Sequence, residues 1–159
     1  MLGAIAGDII GSVFEFKHTK QKNFKLFSMI STYTDDTVLT VATADALMSS
    51  QPYSSMYRKY ALRYPMRGYG PRFLCWVLMP WLGPYNSFGN GSAMRISPIA
   101  YAYNTETEVL CEAERSAICT HNHPEGIKGA QATALAIFLA RTGLDKESIR
   151  KNNIQKIRL

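Results

Sequence analysis

Two adjacent aspartates flanked by threonines, Thr34-Asp35-Asp36-Thr37, put several hard oxygen donors within one turn of chain. Mg²⁺ takes oxygen ligands in octahedral geometry and usually keeps some of its water, so one or two carboxylates and a threonine hydroxyl make half of a site. The same four residues also read as a plain helix start, with Thr34 as the N-cap and acids favoured in the first turn. Asp8 and Glu15 lie seven residues apart in a strongly apolar stretch, and hence on one helix face. Burial raises a carboxyl pKa and a cation lowers it, so such a pair beside a metal can divide acid and base roles. The alternative is that Asp8 bonds neighbouring backbone and Glu15 ends the helix toward solvent.

Gly89-Asn90-Gly91-Ser92 precedes an apolar stretch and could cradle a phosphate with backbone amides, although a tight turn uses the same residues. It matches neither a Walker A pattern nor G-x-G-x-x-G. His121-Asn122-His123-Pro124-Glu125-Gly126 sits at a helix junction; it lacks the further ligands a zinc site needs, which favours hydrogen bonding to a polar ligand or loop capping. No nucleophile elbow flanks Ser12, Ser92 or any cysteine. The aromatics Tyr69, Phe73, Trp76, Trp81, Tyr85 and Phe88 read mostly as core, with room for one to stack on a base.

These residues must be carried by helices. Apolar side chains recur at three or four residues in Leu2, Ile5, Ile9 and Val13, in Val38, Val41, Ala42 and Leu47, and in the Ala-rich stretch around Leu135 and Phe138. Strict alternation is missing. The expected helices run over about 2–14, 35–50, 53–63, 71–79, 92–103, 106–121 and 124–142, the last opening at Pro124 and closing at Gly143. The fold class is all-α, a compact orthogonal helical bundle. Three connections are rich in residues that tolerate positive φ or close approach: Gly68-Tyr69-Gly70-Pro71, Gly83 to Asn86 and Ser87 to Ser92. Beyond Gly143 the chain is polar, with weak apolar spacing at Ile149, Ile154 and Ile157.

The 159 residues are 47% hydrophobic and 19% charged, enough apolar material for one ordinary domain and too much for disorder. The formal net charge of +6 is concentrated in two places. Lys17, Lys20, Lys22 and Lys25 stand without an acid, and Lys146, Arg150, Lys151, Lys156 and Arg158 outnumber Asp145 and Glu147. The body of the chain is near neutral, so a nucleic-acid partner is not expected. Cys75, Cys111 and Cys119 form no framework and suit free thiols in a reducing cytoplasm. The amino terminus has no basic segment before its apolar run, and Asp8 breaks that run, so neither a signal peptide nor a membrane span is expected.

Four blocks in order carry a family likeness: Gly3 to Glu15, Thr34-Asp35-Asp36-Thr37, Gly89-Asn-Gly-Ser-Ala-Met-Arg95 with Pro98, and Thr120-His-Asn-His-Pro-Glu-Gly126 with Gly129-Ala130. Together they resemble the ADP-ribosylglycohydrolase family, all-helical hydrolases that remove ADP-ribose from modified side chains. The resemblance implies that Thr34, Asp35 and Asp36 are ligands in a paired Mg²⁺ site and that Glu15 and Asp36 are catalytic, with Glu15 nearest the scissile bond. It further implies that Gly89, Asn90, Gly91, Ser92, Met94 and His121 hold the ADP-ribose. The expected partners are an ADP-ribosylated protein or an ADP-ribose-containing small molecule, with no membrane. The alternative is an inactive ADP-ribose-binding or structural descendant of the fold. One departure is plain: the family's later Gly-Gly-Asp-x-Asp-Thr cluster has no match after Gly143, where Asp145 and Glu147 are the only acids. Residues 1–143 therefore read as the amino-terminal part of the family domain and 144–159 as a polar tail or terminal helix. Apolar faces left uncovered by such a shortened form imply self-association.

Overall fold

In a computed structural model that describes residues 1–15 and 19–157, all regular structure is helical. Lys17 and Arg158, two of the bases noted above, lie outside the described residues. The helices are α1 (Leu2–Gly11), α2 (Asp35–Ser49), α3 (Tyr53–Arg63), α4 (Pro71–Leu78), α5 (Ile99–Ala102), α6 (Glu106–Ile118), α7 (Pro124–Arg141) and α8 (Lys146–Ile157). Short 3₁₀ turns occupy Ser12–Phe14 and Asn90–Ser92. No described helix is long and apolar enough to cross a membrane.

Local chemistry explains where these helices begin. Thr34 sits in extended backbone and its hydroxyl accepts from the Asp36 N–H, with Asp35 and Asp36 in the first turn. Thr105 and Glu108 form a reciprocal capping box at α6. Pro124 opens α7, and the His123 ring caps it by accepting from the Glu125 N–H. The expected helix over 92–103 is a correction: only Ile99–Ala102 is helical there. Pro98 has no N–H to donate and pushes the preceding residue out of helical backbone, so the apolar run breaks at Ser97.

The core lies between α2, α3, α6 and α7, where Leu39, Tyr57, Ile99, Val109 and Leu135 are fully buried. Ala42, Ala113, Ala117, Ala130 and Ala134 are buried with them, and such small side chains let helix backbones approach closely. Trp76 of α4 is buried beneath the Arg58 guanidinium, 3.8 Å from its ring. Of the middle-third aromatics, Tyr69, Phe73 and Trp76 are core, whereas Trp81 and Phe88 are exposed. The polar tail forms α8, which packs on α7 and buries Ile157 while Ile154 faces outward. All three cysteines are free, Cys75 and Cys111 exposed.

The first helix is anomalous. It is mostly apolar, yet no residue of it is buried, and Leu2 is 83% exposed. Hydrogen bonding holds its end in place. One Asp8 oxygen accepts from the Thr34 N–H at 2.8 Å, the Thr37 N–H at 3.1 Å and the Thr37 hydroxyl at 2.5 Å; the other accepts from the Thr34 hydroxyl at 2.6 Å. The carboxylate thus satisfies donors at the start of α2 that have no partner within the helix. Asp8→Ala removes all four bonds, and we expect it to lower the unfolding free energy by about 2 kcal/mol in urea denaturation. A change below about 0.5 kcal/mol would mean that solvent replaces the clasp without cost.

Candidate functional site

The Asp8 clasp brings the end of α1 against the start of α2, and the 3₁₀ turn that follows carries Glu15 to the same place. A cleft of about 430 Å³ opens there. Glu15, Asp35 and Asp36 line one wall; Gly89, Asn90, Gly91, Met94, Arg95 and His121 line the other. A neighbouring depression shares Glu15, Asp36, Asn90 and Met94 and adds Thr34. Of the site residues expected from sequence, only Ser92 lines neither: it is buried, and its hydroxyl donates to the Gly126 carbonyl at 2.8 Å, fastening the loop to α7. A groove of about 670 Å³ elsewhere contains Tyr53, Glu112 and Arg115, whose polar groups are bonded to one another.

On the acidic wall the carboxylates crowd. Gly68, at φ +91°, passes so close that an added Cβ would sit 3.4 Å from Asp35 Oδ1 and 3.8 Å from Glu15 Oε1. Burial, followed by repulsion from Asp36, pushes the Asp35 carboxyl up to about 7, with Glu15 and Asp8 adding to the effect. Asp36 is also raised, by burial first and then by Asp8 and Glu15. Among the described residues none of Glu15, Asp35 and Asp36 forms an ion pair.

This donor set suits a hard divalent cation in part. Asp35 and Asp36 offer carboxylate oxygens, and the Thr34 hydroxyl retains one lone pair after donating to Asp8 and accepting from Asp36. A cation would offset the repulsion that raises both aspartates. The set does not close a shell, because no group of three or more His, Cys, Asp or Glu side chains able to hold a metal occurs among the described residues.

The opposite wall carries no acid and is stiff. His121 is buried, with Nδ1 2.8 Å from the Thr120 hydroxyl, which also accepts from Arg95 Nη2 at 2.8 Å. Its ring lies so near Gly91 that an added Cβ there would come within 2.9 Å of Cε1 and 3.0 Å of Nε2. Part of the expected amide cradle is already used: the Gly89 N–H donates to Ser87 Oγ, and those of Ala93 and Met94 turn back to the Asn90 carbonyl. Sequence reasoning assigned no role to Arg95, Thr120 or Gly68. Arg95 and Thr120 were visible inside the blocks, but their burial beside His121 depends on how the end of α6 is held against α3 and the Arg95 segment. Gly68 stood in a loop marked only by its glycines.

Burial, then the Arg95 charge, lowers the His121 pKa to about 4. A group held below its unfolded value of 6.5 favours the fold fully above that pH and withdraws its contribution as pH falls toward 4. We therefore expect the His121 ring protons to keep neutral-imidazole shifts from pH 8 to about 5 in NMR titration, and His121→Gln to flatten the loss of stability between pH 6.5 and 4. A midpoint near 6.5 would contradict the buried environment.

The family model described as ADP-ribosylglycohydrolase matches residues 1–158. ADP-ribosylhydrolase ARH3 of Mus musculus is 31% identical, the match covering 91% of this chain and 48% of that protein. The Homo sapiens protein of the same name is 30% identical over 90% of this chain and 49% of its own length, and the Danio rerio protein 30% over 95% and 50%. The chain spans about half the length of these relatives. With a family match running from the Asp8 helix through α8, the chain belongs to the ADP-ribosylglycohydrolase family.

Proposed function

We propose that this chain takes part in hydrolysing the bond between the anomeric carbon of ADP-ribose and a nitrogen or oxygen of a modified side chain or small molecule. One observation carries the reading: a single cleft has uncompensated carboxylates, Glu15, Asp35 and Asp36, on one wall and the glycine loop with a neutral His121 on the other. That division suits a ligand with hydroxyls at one end and a diphosphate at the other. The ribose faces the acids, and the diphosphate lies along Gly89, Asn90, Gly91 and Met94 beside His121.

In this reading Glu15 accepts a proton from the attacking water as its oxygen bonds to the anomeric carbon. The bond to the leaving nitrogen or oxygen breaks, and that atom receives a proton in return. The positive charge that develops on the ribose is stabilised by the carboxylates around it. Mg²⁺, held by Thr34, Asp35 and Asp36 with further ligands from outside the described residues, would supply fixed positive charge that orients ribose hydroxyls. Asp36 lines both depressions and acts beside Glu15 in aligning the water. The free cysteines suit a reducing compartment such as the cytoplasm.

Release of free ADP-ribose from ADP-ribosylated peptides in Mg²⁺ tests the reading. Glu15→Gln should lower the rate by about 10²- to 10⁴-fold and leave ADP-ribose affinity within a factor of a few. Binding without turnover by the unaltered chain would favour the binding descendant of the fold, and no binding would remove both readings. Gly91→Ala, which pushes on the His121 ring, should weaken ADP-ribose binding measured by calorimetry.

Self-association belongs to the same proposal, because α1 has no buried residue and its apolar surface is open. Light scattering should report a species larger than a monomer at micromolar concentration. A monodisperse monomer would remove this part of the proposal alone.

A further inference from the structure

The direction of the hydrogen bonds that hold His121 can be worked out from donor and acceptor capacity. Thr120 Oγ1 lies 2.8 Å from both Arg95 Nη2 and His121 Nδ1. A guanidinium only donates, so the threonine oxygen accepts from Arg95. Thr120 is fully buried, and its one hydroxyl hydrogen needs an acceptor; His121 Nδ1 at 2.8 Å is the strong one, the Cys119 sulfur beside it being a weak acceptor that already faces Arg95 Nη2. A proton on Nδ1 would aim two N–H groups at one oxygen and strand the hydroxyl hydrogen. With Nδ1 bare every donor meets an acceptor, and the ring proton resides on Nε2.

Arg95 is itself tightly fixed. It is fully buried, its guanidinium stacks 4.0 Å from the Tyr57 ring, and Nη2 also donates to the Ser116 carbonyl at 3.1 Å. Tyr57 is in turn bonded to Ser116 Oγ and Thr43 Oγ1. No carboxylate pairs with Arg95 among the described residues, and its Nε and Nη1 have no hydrogen-bond partner there. A buried, unneutralised cation lining a cleft disfavours a second proton on the neighbouring imidazole and favours an anion in the cleft.

We propose that Arg95, acting through the Thr120 hydroxyl, is a positioning residue that locks His121 in its Nε2–H tautomer, so that the ring edge against Gly89 and Gly91 donates to an anionic oxygen. The opposite tautomer would present a lone pair and repel the same oxygen. Naming that oxygen as part of the ADP-ribose diphosphate rests on the function proposed above; the tautomer does not.

Long-range ¹H–¹⁵N correlation spectra of the labelled full chain at pH 7, without ligand, report which ring nitrogen carries the proton. The expected pattern is a protonated Nε2 and a bare Nδ1 in the unaltered protein and in Thr120→Ser. Thr120→Val, which keeps the side-chain shape and loses the hydroxyl, should give a mixture of tautomers. We expect it to weaken ADP-ribose binding about tenfold, as the loss of one hydrogen bond to a charged group would, with Thr120→Ser restoring it. A proton on Nδ1 in the unaltered protein overturns the proposal, as does a folded Thr120→Val with an unchanged tautomer. Should the valine variant fail to fold, the spectra of the unaltered protein and of Thr120→Ser decide the matter. If the tautomer is as stated but ADP-ribose leaves the Nε2 resonance unmoved, the functional reading and the identity of the anion fall while the lock stands.

Discussion

The arrangement depends on one carboxylate whose two oxygens are both taken up by hydrogen bonds to the start of α2. Asp8 spends its acceptor capacity on the N–H and hydroxyl groups of Thr34 and Thr37. Since α1 buries none of its side chains, this polar clasp, more than apolar contact, fixes where the helix ends relative to α2. From there the chain has only a 3₁₀ turn in which to reach Glu15. The acids that remain, Glu15, Asp35 and Asp36, are left close together without paired cations, and their mutual repulsion stores a demand for positive charge in the cleft. A structural acid thus creates the electrostatic problem that a ligand or cation would relieve.

Two readings of Thr34-Asp35-Asp36-Thr37 stood open in the sequence, a helix start and half of a metal site. The structure makes them compatible. Thr34 caps α2 while keeping a lone pair, and both aspartates occupy the first turn with their carboxylates in the cleft. The open readings of Asp8 and Glu15 divide instead: Asp8 bonds backbone, and Glu15 joins the acidic wall. The helix start was visible because short-range chemistry fixes it, whereas the backbone that Asp8 bonds is not its neighbour but lies 26 and 29 residues away, beyond any local reading.

What escaped sequence reasoning depended on long-range packing or on a single interrupting residue. The stretch over 92–103 has helical apolar spacing, but Pro98 overrides periodicity and leaves one short helix. The tail has weak spacing and still docks, because Ile157 finds a hydrophobic surface that only the folded α7 creates. Arg95 reads locally as one more surface cation; its burial over Tyr57 follows from contacts about forty residues apart in sequence, outside any local window. Ser92, expected from its glycine loop to face a ligand, has its hydroxyl engaged in fastening that loop to α7.

Helix α7 contains two glycines near its start that differ sharply in mutational freedom. At Gly126 an added Cβ would come within 2.6 Å of the Ser87 carbonyl oxygen and 3.1 Å of the His121 Cβ, whereas at Gly129 nothing lies within 4 Å. Only the latter can be hardened by a helix-favouring residue such as alanine; the former is a keyway into which the loop backbone slots. Any effort to rigidify this helix must therefore begin a full turn beyond its first residues, or it will pry the cleft apart from behind.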